Sequence, residues 1–269
     1  MTTANRLKAL LMLLIGFVSS PPLSSQDIII GFQDSIYSHI LDENRKIMIR
    51  LPSDYSKSKK SYPVLYRLDG DLDIFIETVG VVERLSFREE IMSDMIVIAI
   101  KNTDRNRDMW PVKTTFSGSK PGAMDFLSFI KTELIPHIDS KYRTTDDRIL
   151  CGQSLSSVFT IYSFLKEPGL FDSYIACSAG FPDCEDYFTE LANKMLKADT
   201  KHDVKIFMTN GEKDFLDSEG IMDAQIKRFS FLINSEDNIT GKYVNYGNEG
   251  HVPYQSLYHG LKFIYERKQ

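Results

Sequence analysis

A serine stands where a short apolar segment changes abruptly into a helical pattern. Residues 148–151 (RILC) are typical of a strand, and the segment Gly152-Gln153-Ser154-Leu155-Ser156 opens a helical pattern over 155–164. So tight a turn leaves room only for small residues two positions before and after the serine, and Gly152 and Ser156 are both small. This turn would present the Ser154 hydroxyl as a nucleophile. The alternative is that Ser154 only caps the helix.

Acidic residues after a later strand offer a carboxylate that could orient a base. The strand pattern of 204–209 runs into residues 210–214 (NGEKD). Parallel sheets place their ligand sites at the carboxyl ends of strands, so this turn lies at the expected edge. Asp214 is the first candidate for the acid, Glu212 the second and Asp217 the third. The alternative is an acidic turn that is merely solvated.

One of the five histidines lies in a loop that suits a general base. His251 falls in residues 246–253 (YGNEGHVP), between the last strand pattern and the final helix. A ring in such a loop can sit between a serine and a carboxylate, and the chain order serine, acid, histidine fits that role. A structural histidine is the alternative. The remaining histidines have weaker positions: His39, His137, His202 and His259.

Strand and helix patterns alternate along the chain, which predicts an α/β fold. We expect a mostly parallel central sheet with helices on both faces. The predicted strands are 46–51, 63–68, 95–100, 148–151, 174–177, 204–209 and 241–246. The predicted helices are 124–135, 155–164, 225–233 and 255–267. No repeat or linker divides the sequence, so residues 26–269 are interpreted as a single domain.

Composition excludes several classes of protein. The 269 residues are 42% hydrophobic and 26% charged, an ordinary globular balance that excludes disorder, collagen and coiled coil. The net charge of −5 and the absence of a basic block argue against a nucleic-acid partner. The three cysteines are too few for a zinc cluster. Cys177 and Cys184 are either paired or buried free thiols.

The N-terminal segment has the pattern of a secretory signal. Arg6 and Lys8 precede the apolar run 9–18, and small residues and prolines follow in 19–25. The run is short for a bilayer core of roughly 30 Å. We therefore expect a signal peptide over 1–25, a secreted or periplasmic protein, and no stable membrane insertion after cleavage. An uncleaved N-terminal anchor is the alternative.

Several longer motifs resemble one family of α/β-hydrolases. The sequence is similar to the esterase family that includes esterase D, feruloyl and acetylxylan esterases, and siderophore trilactone esterases. The motifs that carry the resemblance are 38–45 (SHILDENR), 62–70 (YPVLYRLDG), 102–111 (NTDRNRDMWP), 133–144 (ELIPHIDSKYRT) and 250–261 (GHVPYQSLYHGL). Together they cover nearly the whole region after the predicted signal.

The resemblance implies an α/β-hydrolase fold, with Ser154 as nucleophile and His251 as base. The segment Gly211-Glu212-Lys213-Asp214 aligns with a family motif, which supports Asp214 as the acid. The sequence departs from the family pattern in two places. Ser156 and Ser157 occupy positions where the family usually has glycines, so the turn that carries the nucleophile is expected to be slightly displaced. Trp110 also replaces the usual threonine before a proline, so the wall of the pocket is expected to differ.

Backbone N–H groups would stabilise the oxyanion that forms during acyl transfer. We expect the N–H of Leu155 to be one donor and the N–H of Asp71 the other. Trp110 is predicted to contact substrate, with a packed rim position as the alternative, and Phe181 is a further predicted residue of the substrate-contacting wall. Arg107 and Asp108 either line the mouth with Arg105 or pair with each other and brace their loop.

These observations predict a serine carboxylic-ester hydrolase that works through an acyl-enzyme and needs no metal or organic cofactor. Its partner is a small-molecule ester, which could be a siderophore trilactone or a carbohydrate-linked acyl ester. The alternatives are a non-catalytic binding protein that retains the fold and a peptidase. Oligomeric state is left open by the sequence.

Overall fold

A computed structural model describes residues 27–117, 120–197, 203–235 and 237–266. The predicted signal peptide, residues 1–25, lies outside the described residues. In the described part of the chain an eight-stranded sheet has the order β1-β2-β4-β3-β5-β6-β7-β8. β2 is antiparallel to both of its neighbours, and the pairs from β4 to β8 are parallel. The prediction of a mostly parallel sheet is confirmed.

The strands agree with the predicted ones to within a few residues, and one more is present. The strand β1, at the edge of the sheet, was not predicted, because its alternation leaves most side chains at least partly exposed. The eight strands are β1 Phe32–Ser38, β2 Glu43–Arg50, β3 Tyr62–Arg67, β4 Ile96–Ile100, β5 Thr144–Gln153, β6 Ser173–Cys177, β7 Val204–Gly211 and β8 Ile239–Tyr246.

The described helices include the four that were predicted and others that were not. They are α1 Leu72–Glu83, α2 Arg105–Met109, α3 Ala123–Phe129, α4 Ile135–Lys141, α5 Leu155–Lys166, α6 Glu185–Leu196, α7 Ile221–Ile233 and α8 Ser256–Tyr265. π-Helical segments extend α1 over Arg84–Arg88 and join α3 to α4 over Ile130–Leu134. None of the described helices is long and apolar enough to cross a membrane.

Two of the helices, α1 and α6, were not predicted, and the reasons differ. α1 is rich in isoleucine and valine, whose branched side chains favour strands over helices. α6 does carry a helical signal, since its buried residues Phe188, Ala192 and Met195 recur at four- and three-residue steps. That periodicity is present in the sequence itself.

Apolar side chains are buried on both faces of the sheet. Alternate residues of β2 point to opposite faces, so Ile47 and Ile49 join one core cluster and Met48 joins the other. Phe159 of α5 belongs to the first cluster, and Leu261 of α8 belongs to the second. The expectation of helices on both faces is confirmed, and the carboxyl ends of β3 to β8 lie at one edge of the sheet.

Candidate active site

Ser154 lies in a sharp turn between β5 and α5, in a backbone conformation that side chains rarely adopt. Its φ is +53° and its ψ is −126°, a strained combination for a residue with a Cβ atom. At Gly152 a Cβ atom would lie 2.3 Å from the Ser156 carbonyl oxygen and 2.4 Å from Thr160 Oγ1. The expectation that the turn needs a very small residue at position 152 is therefore confirmed.

Backbone and hydroxyl groups hold this strained turn in place. The Ser154 N–H donates to the Cys177 carbonyl at the end of β6, at 2.8 Å. The Ser154 carbonyl accepts from the Ser157 N–H at 2.9 Å and from Ser157 Oγ at 2.5 Å. Ser157, one of the two serines that depart from the family pattern, thus closes the turn by a hydrogen bond that glycine could not make.

Ser156, the other serine found where the family usually has glycine, connects the turn to the loop after β3. Its buried Oγ accepts from the Gln153 N–H at 2.7 Å and lies 2.8 Å from Asp69 Oδ2. Arg105 donates to both carboxylate oxygens of Asp69, at 2.7 and 2.8 Å, and to the Gln153 carbonyl at 3.2 Å. Sequence reasoning assigned no role to Asp69, because its partners lie far away along the chain.

The charge of Asp69 is stabilised within this network. Burial alone would raise the pKa of its carboxyl, but hydrogen bonds from Arg105, Asn102 and Ser156, together with the Arg105 charge, hold that pKa below its usual value. Asp69 itself has a φ of +54°. An ionised carboxylate therefore anchors the backbone immediately before Ser154.

His251 lies between Ser154 and Asp214 within hydrogen-bond distance of both. Its Nε2 is 2.8 Å from Ser154 Oγ, and its Nδ1 is 2.7 Å from Asp214 Oδ2. The Asp214 carboxylate is buried, and its Oδ1 accepts from the Leu216 N–H at 2.9 Å. The structure thus brings together the three side chains that the sequence proposed from distant segments.

The other two acidic candidates lie elsewhere. Glu212 is exposed, two residues before Asp214. Asp217 accepts the backbone N–H groups of Met222 and Asp223 at 2.9 and 2.8 Å, so its carboxylate caps the first turn of α7. Only Asp214 of the three contacts the His251 ring in the described structure.

A close approach of two loops sets the position of His251. A Cβ atom at Gly211 would lie 2.1 Å from the Gly250 carbonyl oxygen, so only glycine fits there. The Lys213 N–H donates to the Glu249 carbonyl at 2.9 Å, and the Val252 N–H donates to Ser178 Oγ at 2.7 Å. The end of β7 and the loop that follows β8 are thereby held together.

The remaining histidines are not part of this group. His259 Nδ1 lies 2.7 Å from the Tyr246 hydroxyl, and His137 lies 3.7 Å from Asp34. The His39 ring packs edge-on against Tyr37. His202 lies outside the described residues.

Of the two predicted oxyanion donors, one N–H group is available in the structure and the other is already hydrogen-bonded. The Leu155 N–H follows the nucleophile at the start of α5, and no acceptor among the described residues takes it. The Asp71 N–H, in contrast, already donates to the Asp69 carbonyl at 2.7 Å, and the Asp71 side chain pairs with Lys101 at 3.2 Å. The choice of Asp71 as the second donor therefore has no support here, because its N–H is occupied inside its own turn.

A cleft of about 610 Å³ opens beside Ser154 and His251. Trp110 lines it and is 3% exposed, so it is part of a packed wall. Phe181 does not line it: its ring stacks on Phe188 in the core, with centroids 4.2 Å apart. Apolar packing under α6 takes this side chain away from the cleft, so the structure lends no support to the prediction that Phe181 contacts substrate.

Arg107 and Asp108 brace their loop rather than line the mouth. Arg107 contacts Asp108 and Glu43, both at 2.7 Å, and Arg45 contacts Asp108 at 2.7 Å. Burial alone would raise the pKa of Glu43, but hydrogen bonds from Arg107, Thr103 and Arg45 lower it to about 2. This cluster fixes the N-terminal strands to α2, which precedes Trp110.

The cysteines carry no disulfide. Cys151, Cys177 and Cys184 are all buried free thiols, so the alternative of unpaired cysteines is confirmed. Burial raises the pKa of Cys184 to about 12. No group of three or more histidine, cysteine and acidic residues in the described ranges could hold a metal ion.

Comparisons with known proteins point to one family. The model of the family described as "Putative esterase" matches residues 38–251. Ferri-bacillibactin esterase BesA of Bacillus subtilis (strain 168) is 24% identical over 235 residues, covering 78% of this chain and 81% of that protein.

Several solved structures share the fold, and two of them illustrate the similarity to this chain. An IroE-like serine hydrolase from Shewanella oneidensis superposes with a TM-score of 0.81 at 25% identity, covering 88% of this chain and 80% of that one. Siderophore hydrolase EstB from Aspergillus nidulans gives a TM-score of 0.72 at 17% identity, covering 90% and 97%. The predicted α/β-hydrolase fold is confirmed.

Proposed function

The chain belongs to the "Putative esterase" family of carboxylic ester hydrolases, and we propose that it cleaves its substrate through an acyl-enzyme on Ser154. One observation carries the proposal: His251 bridges Ser154 Oγ and the Asp214 carboxylate at 2.8 and 2.7 Å. These are the distances at which a base can remove the hydroxyl proton and a carboxylate can orient that base.

In the first step His251 Nε2 takes the Ser154 proton as the oxygen attacks the ester carbonyl. Asp214 holds the Nδ1 proton of the ring and stabilises the imidazolium that forms. His251 then returns the proton to the departing alcohol, which leaves Ser154 acylated. In the second step the same ring takes a proton from water as the water oxygen attacks the acyl carbonyl. The ring then returns that proton to Ser154 Oγ as the C–O bond to the serine breaks, which releases the acid and restores the serine.

The Leu155 N–H is the donor we assign to the carbonyl oxygen during these steps. It directly follows the nucleophile and is available, and the start of α5 adds the favourable end of a helix dipole. One oxyanion donor typically contributes about 3 kcal/mol to the transition state.

The test is the variant Ser154→Ala, assayed with p-nitrophenyl acetate. We expect turnover to fall by about a thousandfold or more, with an unchanged circular dichroism spectrum. Ser140→Ala, which removes an exposed hydroxyl on α4, is the matched control and should keep full activity. A fluorophosphonate probe should label Ser154 in the parent chain. A folded sample that neither turns over ester nor takes the label would be a binding protein that retains the fold.

For the substrate we propose a small-molecule ester, either a siderophore trilactone or a carbohydrate-linked acyl ester. The names of the relative, a ferri-bacillibactin esterase, and of a structural neighbour, a siderophore hydrolase, support a siderophore ester. A panel of acetyl, butyryl, feruloyl and trilactone esters separates the two classes. A p-nitroanilide with the acyl group of the best ester tests for peptidase activity, which we expect to be absent.

We also propose that the chain is exported and loses residues 1–25. The charged start, apolar run and small residues of that segment support this. Mass spectrometry of the protein purified from its native host checks the proposal, since an intact N-terminus in all of the protein would contradict it.

A further inference from the structure

Acidic side chains line the cleft beside Ser154. Asp183, Asp217 and Glu219 all contribute to its lining, and the described residues that line it include no lysine or arginine. The charge inside the cleft is therefore negative, apart from any proton held by His251.

These carboxylates are not neutralised by cations. Within the described ranges, none of the three forms an ion pair with lysine, arginine or histidine. Asp183 accepts hydrogen bonds from Thr115, and Asp217 accepts the backbone N–H groups at the start of α7. Glu219 is exposed.

Two cations whose contacts lie beside the catalytic segments have partners of their own. Arg105 donates from Nε and Nη2 to Asp69, and from Nη2 to the backbone before Ser154. The Lys213 ammonium lies 3.3 Å from the Asn248 side chain. Neither belongs to the cleft lining. A negatively charged substrate would thus be repelled by the carboxylates, and no fixed cation in the described cleft lining would offset that repulsion.

The remaining lining is largely apolar. Trp110, Val158 and Met222 form part of the wall. At the mouth the Phe215 ring is 75% exposed and packs edge-on against His251, with centroids 5.8 Å apart. Leu216, also largely exposed, lines the cleft beside it. An apolar group next to the ester carbonyl would be buried here, while the acids lie around it.

We propose that this cleft selects uncharged or cationic esters with an apolar acyl group and discriminates against anionic esters. The inference rests on the proposed function, since it concerns the substrate of the same serine. It favours a neutral or cationic acyl ester over an ester that bears several negative charges. At roughly 8 Å and a water-like dielectric, each carboxylate changes the affinity for a unit charge by about twofold, so three give about tenfold at low ionic strength.

The experiment compares three p-nitrophenyl esters that differ in charge at one end of the acyl chain. The neutral ester carries 5,5-dimethylhexanoate, and the cationic ester carries 4-(trimethylammonio)butanoate, which has nearly the same shape. The anionic ester is mono-p-nitrophenyl glutarate. We expect kcat/KM to fall in the order cationic, neutral, anionic, with about tenfold between neighbours in about 20 mM salt. The spread should shrink to about twofold in about 500 mM salt.

Asp183→Asn combined with Glu219→Gln tests whether these side chains cause the preference. Asparagine keeps the acceptor for Thr115 and tolerates the positive φ of position 183. Asp217 is left unchanged because it caps α7. The double variant should reduce the cationic-to-anionic ratio by about sixteenfold at low ionic strength, because each carboxylate shifts the two charged esters about twofold in opposite directions.

A matched control removes two charges at the opposite end of the sheet. Asp146 precedes the buried part of β5 and Asp237 precedes β8, and both are exposed. Asp146→Asn with Asp237→Asn should leave the ratio unchanged. Equal kcat/KM for the neutral and anionic esters in the parent chain, or an equal effect of both double variants, would overturn the inference. No turnover of even the neutral ester would instead contradict the proposed function.

Discussion

Replacing Ser156 by alanine should disturb the nucleophile without removing any group that touches the substrate. The Ser156 hydroxyl is fully buried. It accepts a hydrogen bond from the Gln153 N–H at 2.7 Å and donates one to the Asp69 carboxylate at 2.8 Å. Alanine leaves that N–H without its acceptor inside the protein and removes one hydrogen bond to an ionised carboxylate. An unsatisfied buried donor costs about 1–3 kcal/mol.

For a chain of this size, 1 kcal/mol corresponds to about 2–4 °C in Tm. We therefore expect Ser156→Ala to lower Tm by roughly 3–10 °C. We also expect kcat for p-nitrophenyl acetate to fall about tenfold with little change in KM, because a displaced nucleophile harms the transition state more than binding.

Ser128→Ala provides the control. Its hydroxyl donates to the Met124 carbonyl one turn earlier in α3, away from the site, so its loss should change neither Tm nor kcat measurably. Arg105 and Asn102 still hold Asp69 in the Ser156 variant. If Ser156→Ala keeps both the Tm and the kcat of the parent chain, the turn does not depend on this hydroxyl and our reasoning is wrong.

Three further predictions concern the acid, the base loop and the effect of pH. Asp214→Asn should lower kcat by about 10⁴-fold, whereas Glu212→Gln should leave it nearly unchanged, as p-nitrophenyl acetate kinetics would show; comparable losses would reopen the assignment. Gly211→Ala should abolish most ester turnover because its Cβ meets the backbone of the loop that carries His251, and full activity would contradict that close approach. The pKa of Glu43 is lowered from 4.5 to about 2, so the stability it contributes is present above about pH 4.5 and is lost as the pH falls toward 2; acid unfolding of Glu43→Gln should show a weaker pH dependence over that interval.

Much of the fold follows from local patterns in the sequence. The buried strands β4 and β6 are short apolar runs, and such segments have few alternatives to the centre of a parallel sheet. The edge strand β1 has no such signal, because its identity depends on pairing with β2 and not on burial. Local sequence patterns therefore identify the middle of this sheet better than the edge formed by β1.

In the active site, the three catalytic side chains could be predicted from the sequence, whereas the roles of some surrounding groups could not. Ser154, Asp214 and His251 could be proposed because each follows a recognisable strand and because their order is informative. Phe181 and Asp71 could not be judged from the sequence, since their roles depend on where one side chain packs and which acceptor one N–H meets. The Phe181 ring joins the core, and the Asp71 N–H is used inside its own turn.

Ser156 and Ser157 show why a departure from a motif cannot be interpreted from the motif alone. From the sequence, two hydroxyls in place of glycines implied a displaced turn. In the structure each hydroxyl has an acceptor: the Ser154 carbonyl for one, and Asp69, 87 positions earlier in the chain, for the other. Glycine would leave the strained φ of Ser154 to be held by the backbone and by packing. The two serines add side-chain hydrogen bonds that hold the backbone at the strained Ser154. The Ser156 bond ends on Asp69, which Arg105 holds in turn. We therefore expect a change in the Asp69–Arg105 pair to displace Ser154 more than a change elsewhere around the turn.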